Sequence, residues 1–292
     1  MKTPNFLIVG AAKSGTTSMC NYLRQHSNIF IPEFKEPQFF VYEKTKDRLH
    51  KQIKSFDEYQ KLFNNRREQI IGEGSVFYLF FYQEAIKNIK KYCDKDVKVL
   101  IILRNPIDRC LSAYHHVRRN NLMETLSLKE ALNEEQERYK KNKNITPMTL
   151  YKSMGLYYHQ VKAYLDNFKN VKIVIYDDFK KDPSKVYGDI LSFLELDKEK
   201  KINFNIKENV GGWQWKNKFL RFIFLNKNII KVFLRFLLTK NLLNKLKQKY
   251  VSMSTNRVTA NREIKSYLCN YYKEDIKKLS DLLNIDLSFW LK

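Results

Sequence analysis

Gly10-Ala11-Ala12-Lys13-Ser14-Gly15-Thr16-Thr17-Ser18 joins two glycines, one cation and a run of three consecutive hydroxyls. The apolar run Asn5 to Val9 precedes it, and Thr16 to Gln25, with Met19 and Leu23 on one face, follows as a helical pattern. A loop between a strand and a helix turns its backbone N–H groups toward an anion at the positive end of the helix dipole. Small side chains let a phosphate come close, Lys13 adds a full charge, and the hydroxyls add donors. A nucleoside-triphosphate loop of the GxxxxGK[ST] type has its lysine after the last glycine and a hydroxyl placed for Mg²⁺. Here Lys13 precedes Gly15, an order that disfavours a kinase.

A second anion-binding pair follows the apolar run Val97 to Leu103. Arg104 stands at its end, Pro106 suits the first turn of a new helix, and Ser112 falls two turns into that helix. An arginine fork and a hydroxyl so placed can hold one phosphate from two sides. A third run, Val171 to Tyr176, leads through Asp177, Asp178 and Pro183 into the helical pattern Val186 to Leu194.

Nearly continuous apolar runs alternating with helices predict an α/β fold, a doubly wound central parallel sheet flanked by helices. Ligands of such sheets bind beyond the carboxyl ends of the strands, which places the site near Gly10, Arg104 and Tyr176. At 292 residues the chain is expected to form one domain, 1–292, with a basic helical segment at 214–250.

The first loop resembles the 5′-phosphosulfate loop of sulfotransferases, a strand followed by a KSGTT-like stretch. Leu103-Arg104-Asn105-Pro106 through Ser112 is similar to that family's 3′-phosphate motif, in which the arginine and the serine eight positions later bind the 3′-phosphate. Ile175-Tyr176-Asp177-Asp178 with Asp182-Pro183 resembles the YEDxxxDP-like stretch whose tyrosine lies near the adenine; a core tyrosine is the alternative reading of Tyr176. The resemblance implies a P-loop-like sulfotransferase fold with 3′-phosphoadenosine 5′-phosphosulfate (PAPS) as donor, PAP as product and no metal. It implies that Lys13, Ser14, Gly15, Thr16, Thr17, Ser18, Arg104, Ser112 and Tyr176 contact the nucleotide, with Lys13 stabilising charge on the leaving oxygen.

Transfer to a hydroxyl needs a base. Glu33-Phe34-Lys35-Glu36-Pro37-Gln38-Phe39-Phe40 resembles the KEPHFF stretch of glycosaminoglycan sulfotransferases, which makes Glu36 the implied general base; the alternative is a loop carboxylate paired with Lys35. Gln38 replaces the histidine of KEPHFF. Gly72-Glu73-Gly74-Ser75 through Tyr78 resembles a GEKTPAYF-type segment lining the acceptor cleft, with Gly74 where that branch carries lysine, and Glu73 is the reserve base. Cytosolic members use a histidine after this strand, and none stands here. His115 and His116, beside the 3′-phosphate helix, are left outside the expected site. Asn209 to Trp213 resembles the NVSG-type turn, and Tyr272 to Leu291 the closing helix and DLSxWL end, of bacterial carbohydrate sulfotransferases.

The net charge of +23 calls for a polyanionic partner or a lysine-favouring composition. Lysines and arginines from Lys216 to Lys249 are interleaved with Phe and Leu without one acidic residue. Such a segment lies on an anionic membrane, grips an acidic acceptor, or packs on the core with a solvated lysine face. Four scattered cysteines without CxxC spacing suggest free thiols in a reducing compartment. With no signal peptide and no apolar run long enough to span a bilayer, the expected location is cytoplasmic, with peripheral membrane contact through 214–250. The expected activity is sulfuryl transfer to a hydroxyl or amine, on a carbohydrate that the charge suggests is acidic, with no nucleic acid partner. The rivals are a P-loop-like ATP-dependent kinase and a non-catalytic polyanion- or membrane-binding protein.

Overall fold

Three of the chain's strands are written in its apolar runs. In the computed structural model described here, the residues placed are 3–34, 36–46, 48–49, 51–120, 124–197, 202–205 and 261–292, with backbone alone for 213–215 and 255–257. In chain order the elements begin with β1 (Phe6–Gly10), α1 (Thr16–Leu23), β2 (Ile29–Phe30), α2 (Tyr42–Thr45) and α3 (Phe56–Lys61). Next come β3 (Ile70–Gly74), α4 (Tyr82–Tyr92), β4 (Lys98–Leu103), α5 (Pro106–Asn120) and α6 (Leu128–Lys141). The series closes with α7 (Tyr158–Asn167), β5 (Val171–Ile175), α8 (Tyr176–Lys181), α9 (Pro183–Leu194), β6 (Trp213–Trp215), β7 (Thr255–Arg257) and α10 (Arg262–Leu283).

Five strands form one parallel sheet in the order β2-β3-β1-β4-β5. Phe6, Leu7, Ile8 and Val9 of β1 are all fully buried. Because side chains alternate across a strand, Leu7 and Val9 enter one core and Phe6 and Ile8 the other. β4 divides the same way, with Val99, Ile101 and Leu103 on one face and Leu100 and Ile102 on the opposite one. Residues from α4, α5, α7 and α10 cover the first face; α1 and α9 cover the second. This two-sided burial is why both runs read as continuous hydrophobics rather than as an alternation. Truncating one of these fully buried side chains to alanine costs about 2–5 kcal/mol.

Two strands beyond the three apolar runs complete the sheet. β2 has only two residues, too short for a periodicity to register, and β3 contains Gly72, Glu73 and Gly74. A Cβ at Gly72 would lie 2.8 Å from Phe6 Cδ1, so β3 spends side-chain space on close approach to β1. The strand order reverses at β1, with β3 on one side and β4 on the other, and the crevice at the carboxyl ends of β1 and β4 is where such sheets take ligands. Pro106 is the first residue of α5, as its fixed φ and missing N–H favour. Tyr176 does not extend β5 but opens α8. The basic segment 214–250 and the turn at Asn209 to Trp213 fall almost wholly outside the described residues. Tyr272 to Leu291 runs from within α10 to a final 3₁₀ turn at Ser288–Leu291, where Trp290 is fully buried. No helix among the described residues is long and apolar enough to cross a membrane.

Candidate active site

The loop after β1 is stitched to β4 before it reaches its glycine: Ala11 N–H donates to Ile102 O at 2.8 Å. Lys13 (φ 70°) and Gly15 (φ 84°) both take the left-handed conformation, and Ser14 N–H closes on Ala11 O at 3.2 Å. Alternation of this kind curls successive N–H groups around a concave centre that attracts anions. Gly15 is the cap residue of α1; no side chain caps that end, and no acidic residue occupies its first turn. The helix therefore presents its positive end to the loop. Gly15 is required twice over. Its φ is left-handed, and an added Cβ would lie 2.8 Å from Tyr176 Cε2.

That contact brings Tyr176, from the end of β5, against the loop. Arg104, at the end of β4, joins them: its Nη1 donates to Lys13 O at 3.1 Å and its guanidinium carbon lies 5.1 Å from the centre of the Tyr176 ring. Arg104 is further held through Tyr157, whose hydroxyl donates to Arg104 O at 3.0 Å. Two donors are buried here without a hydrogen-bond partner, Arg104 Nε and Ser14 Oγ. Buried Arg109 has two such nitrogens as well, but Arg104 Nε and Ser14 Oγ lie on adjoining elements, and an anion is a partner that suits both.

α5 supplies the remaining wall. Asp108, Ser112 and His116 recur every four residues and so share one face. Arg104 Nη2 approaches Asp108 at 3.9 Å, and Lys13 Nζ lies 3.4 Å from His116 Nδ1. Half-buried Ser112 stands between these two anchor points, about 6 Å along the axis from each. Burial, with the charges of Lys13 and Arg119, pushes the His116 imidazole down to about 3. It is neutral at pH 7 and accepts from the Lys13 ammonium at Nδ1, which leaves the proton on Nε2. His116 thus belongs to the site that the sequence reading closed without it. The signal available was its four-residue spacing from Ser112.

The proposed base loop is bolted into the core by the residues that follow it. Phe39 stacks on Tyr59 with ring centres 4.7 Å apart, and Phe40 is fully buried against Tyr59 and Tyr78. Glu36 (φ 66°) and Gln38 (φ 53°) are both left-handed, a conformation that costs a non-glycine residue on the order of 1–3 kcal/mol unless its surroundings hold it. Gln38 Nε2 donates to Glu36 Oε2 at 3.3 Å, so the residue that replaces a histidine touches the carboxylate it accompanies. Gln38 N–H donates to Ser75 Oγ at 3.1 Å, and Ser75 N–H donates to Ile8 O at 3.0 Å. The Glu36 loop is therefore registered on β1, the strand that leads into the Gly10–Ser18 loop.

Glu73 is fully buried and raised to about 7, by burial first and with Glu36 adding a like charge. Ser75 Oγ donates to its Oε2 at 2.9 Å and Tyr59 to its Oε1 at 3.3 Å. Sealed under the loop, it does not face an acceptor as a reserve base would need to. Gly74 lies on the opposite face, where an added Cβ would come within 3.0 Å of Cys20 Sγ.

Residues 3–210 match the sulfotransferase domain family, and the chain belongs to that family. The crystal structure of a sulfotransferase from Alicyclobacillus acidocaldarius is 30% identical, covers all of both chains and superposes with a TM-score of 0.75. A bifunctional heparan sulfate N-deacetylase/N-sulfotransferase 1 from Xenopus tropicalis is 26% identical over 230 residues, 72% of this chain and 24% of that protein. The membrane-associated sulfotransferase kil1 of Dictyostelium discoideum is 33% identical over 112 residues, 38% of this chain and 22% of that protein. The chain spans about a quarter or less of the length of these curated relatives.

Proposed function

We propose that the chain is one sulfotransferase domain over 1–292 that takes a sulfuryl group from PAPS and delivers it to an amine or hydroxyl of an acidic carbohydrate. The observation that supports the donor assignment is the pair of buried donors without a hydrogen-bond partner, Ser14 Oγ in the loop after β1 and Arg104 Nε at the end of β4. Lys13, Ser14, Gly15, Thr16, Thr17 and Ser18 hold the 5′ end with backbone N–H groups, hydroxyls and one ammonium. Arg104 and Ser112 hold the 3′-phosphate, and the Tyr176 ring, set against Gly15 and Arg104, borders the nucleoside.

In-line transfer moves charge from the attacking to the leaving oxygen, so preorganised donors supply much of the rate. Lys13 meets the charge on the leaving phosphate oxygen. Its ammonium lies 3.4 Å from Nδ1 of a neutral His116, which helps to aim it. Glu36 takes the proton from the acceptor nucleophile, and Gln38 orients its carboxylate. No step in this scheme uses a metal. An acidic sugar is favoured by the net charge of +23 and by the heparan sulfate N-sulfotransferases among the relatives.

The test is transfer of ³⁵S from labelled PAPS to N-deacetylated heparosan. Label on the polysaccharide from the parent enzyme, and at least 100-fold less from Glu36→Gln with PAP affinity unchanged, is the expected result. Parental transfer by Glu36→Gln would remove the base assignment.

A further inference from the structure

We infer that Glu73 is a positioning residue for the proposed base: through the Ser75 hydroxyl it fixes the Gln38 amide, and with it the Glu36 carboxylate, on the strand that carries the phosphate loop. The inference rests on the reading that Glu36 takes the acceptor's proton.

The chain of contacts is short and directional. Tyr59 and Ser75 donate to the two oxygens of Glu73. Because the Ser75 proton is committed to Glu73, the lone pairs of its oxygen face Gln38 N–H at 3.1 Å. The Gln38 side chain then donates to Glu36. The Ser75 bond to Glu73 fixes the rotation of the hydroxyl, which keeps a lone pair aimed at Gln38 N–H and so anchors the residue whose side chain reaches Glu36.

A purely structural role is a poor account of this carboxylate. A buried charge without a cation costs more than a packed apolar side chain would. The groups around Glu73 are Tyr59 from α3, Ser75 and Tyr78 after β3, Cys93 at the end of α4, Tyr164 from α7 and Glu36 itself. Burial, three hydroxyls and one like charge dominate its titration, with no cation among them. What the arrangement secures is two left-handed residues, Glu36 and Gln38, that have no conformational reason to stay where they are.

Its titration near 7 gives the network a working range. Below that pH the carboxyl carries a proton and no longer obliges Ser75 to donate; above it both oxygens are acceptors and hold the Ser75 hydroxyl in its donating rotamer. Turnover is expected to rise through about pH 7 in the parent and to stay at its low-pH level in Glu73→Gln.

The experiment compares Ser75→Ala, Glu73→Gln and Tyr59→Phe with the parent, each loaded with PAP, by hydrogen exchange at the Gln38 amide. Ser75→Ala and Glu73→Gln should speed that exchange at least tenfold while PAP affinity stays within threefold, which reports an intact fold. Tyr59→Phe removes a hydroxyl from the other side of Glu73 and should leave Gln38 exchange within twofold. With labelled PAPS and N-deacetylated heparosan, the first two variants should lose tenfold or more in kcat with little change in KM for PAPS. Parental exchange at Gln38 in both Ser75→Ala and Glu73→Gln would overturn the inference. Parental turnover by Glu36→Gln would instead sink the base reading and leave the exchange result standing.

Discussion

Arg104 Nη1 donates to the carbonyl oxygen of Lys13 at 3.1 Å, so the arginine that ends β4 also shapes the loop that follows β1. The two halves of the proposed nucleotide site are therefore one mechanical unit. Arg104→Lys retains the charge but cannot bond Lys13 O and present a free fork at the same time. PAP affinity is expected to fall about 10- to 100-fold, or about 1.4–2.8 kcal/mol, measured by calorimetry.

Gly15→Ala places a Cβ 2.8 Å from Tyr176 Cε2 on a backbone with φ of 84°. The strain and the displacement of Tyr176 fall on the loop rather than on the core. A melting temperature within a few degrees of the parent, with PAP binding weakened tenfold or more, is the expected pair of results.

His116, lowered to about 3, should show no imidazole titration between pH 5 and pH 8 by heteronuclear NMR, with its signal assigned through His116→Gln. A depressed folded value contributes stability that is present above the unfolded value of 6.5 and is lost as pH falls toward 3. His116→Phe removes the acceptor for Lys13 and should lower kcat more than it weakens PAP binding.

Glu73 carries the opposite sign. Its folded value of about 7 lies above the usual 4.5, so its contribution to stability is full below pH 4.5 and is lost as pH rises through 7. The loss is on the order of 3 kcal/mol. Denaturant unfolding should show Glu73→Gln gaining on the parent between pH 5 and pH 8; a difference that does not change with pH would contradict this.

The fold was legible where apolar runs are long. Val97 to Leu103 and Val171 to Tyr176 read directly as strands, because both faces of β4 are buried and the run has no polar gap. The second run ends one residue earlier as a strand: Tyr176 begins α8, since the acidic Asp177 and Asp178 suit the first turn of a helix. β2 and β3 gave weaker signals, one for its length and the other for its glycines. At the candidate site, the nearness of the loop to Arg104 was legible, because each follows the carboxyl end of one of two strongly apolar strands. His116 and Ser75 were not, because each acts through a contact with a residue distant in sequence, Lys13 and Gln38, that only the fold creates.

The central claim is that Lys13 to Ser18 and Arg104 with Ser112 form one site for a nucleotide 3′,5′-bisphosphate. Calorimetric titration of the protein with PAP, AMP and ATP tests it without knowledge of the acceptor. The account predicts that PAP binds at least 100-fold more tightly than AMP or ATP, and that Arg104→Ala abolishes the difference. Equal affinity for PAP and AMP, or tighter binding of ATP, would contradict it.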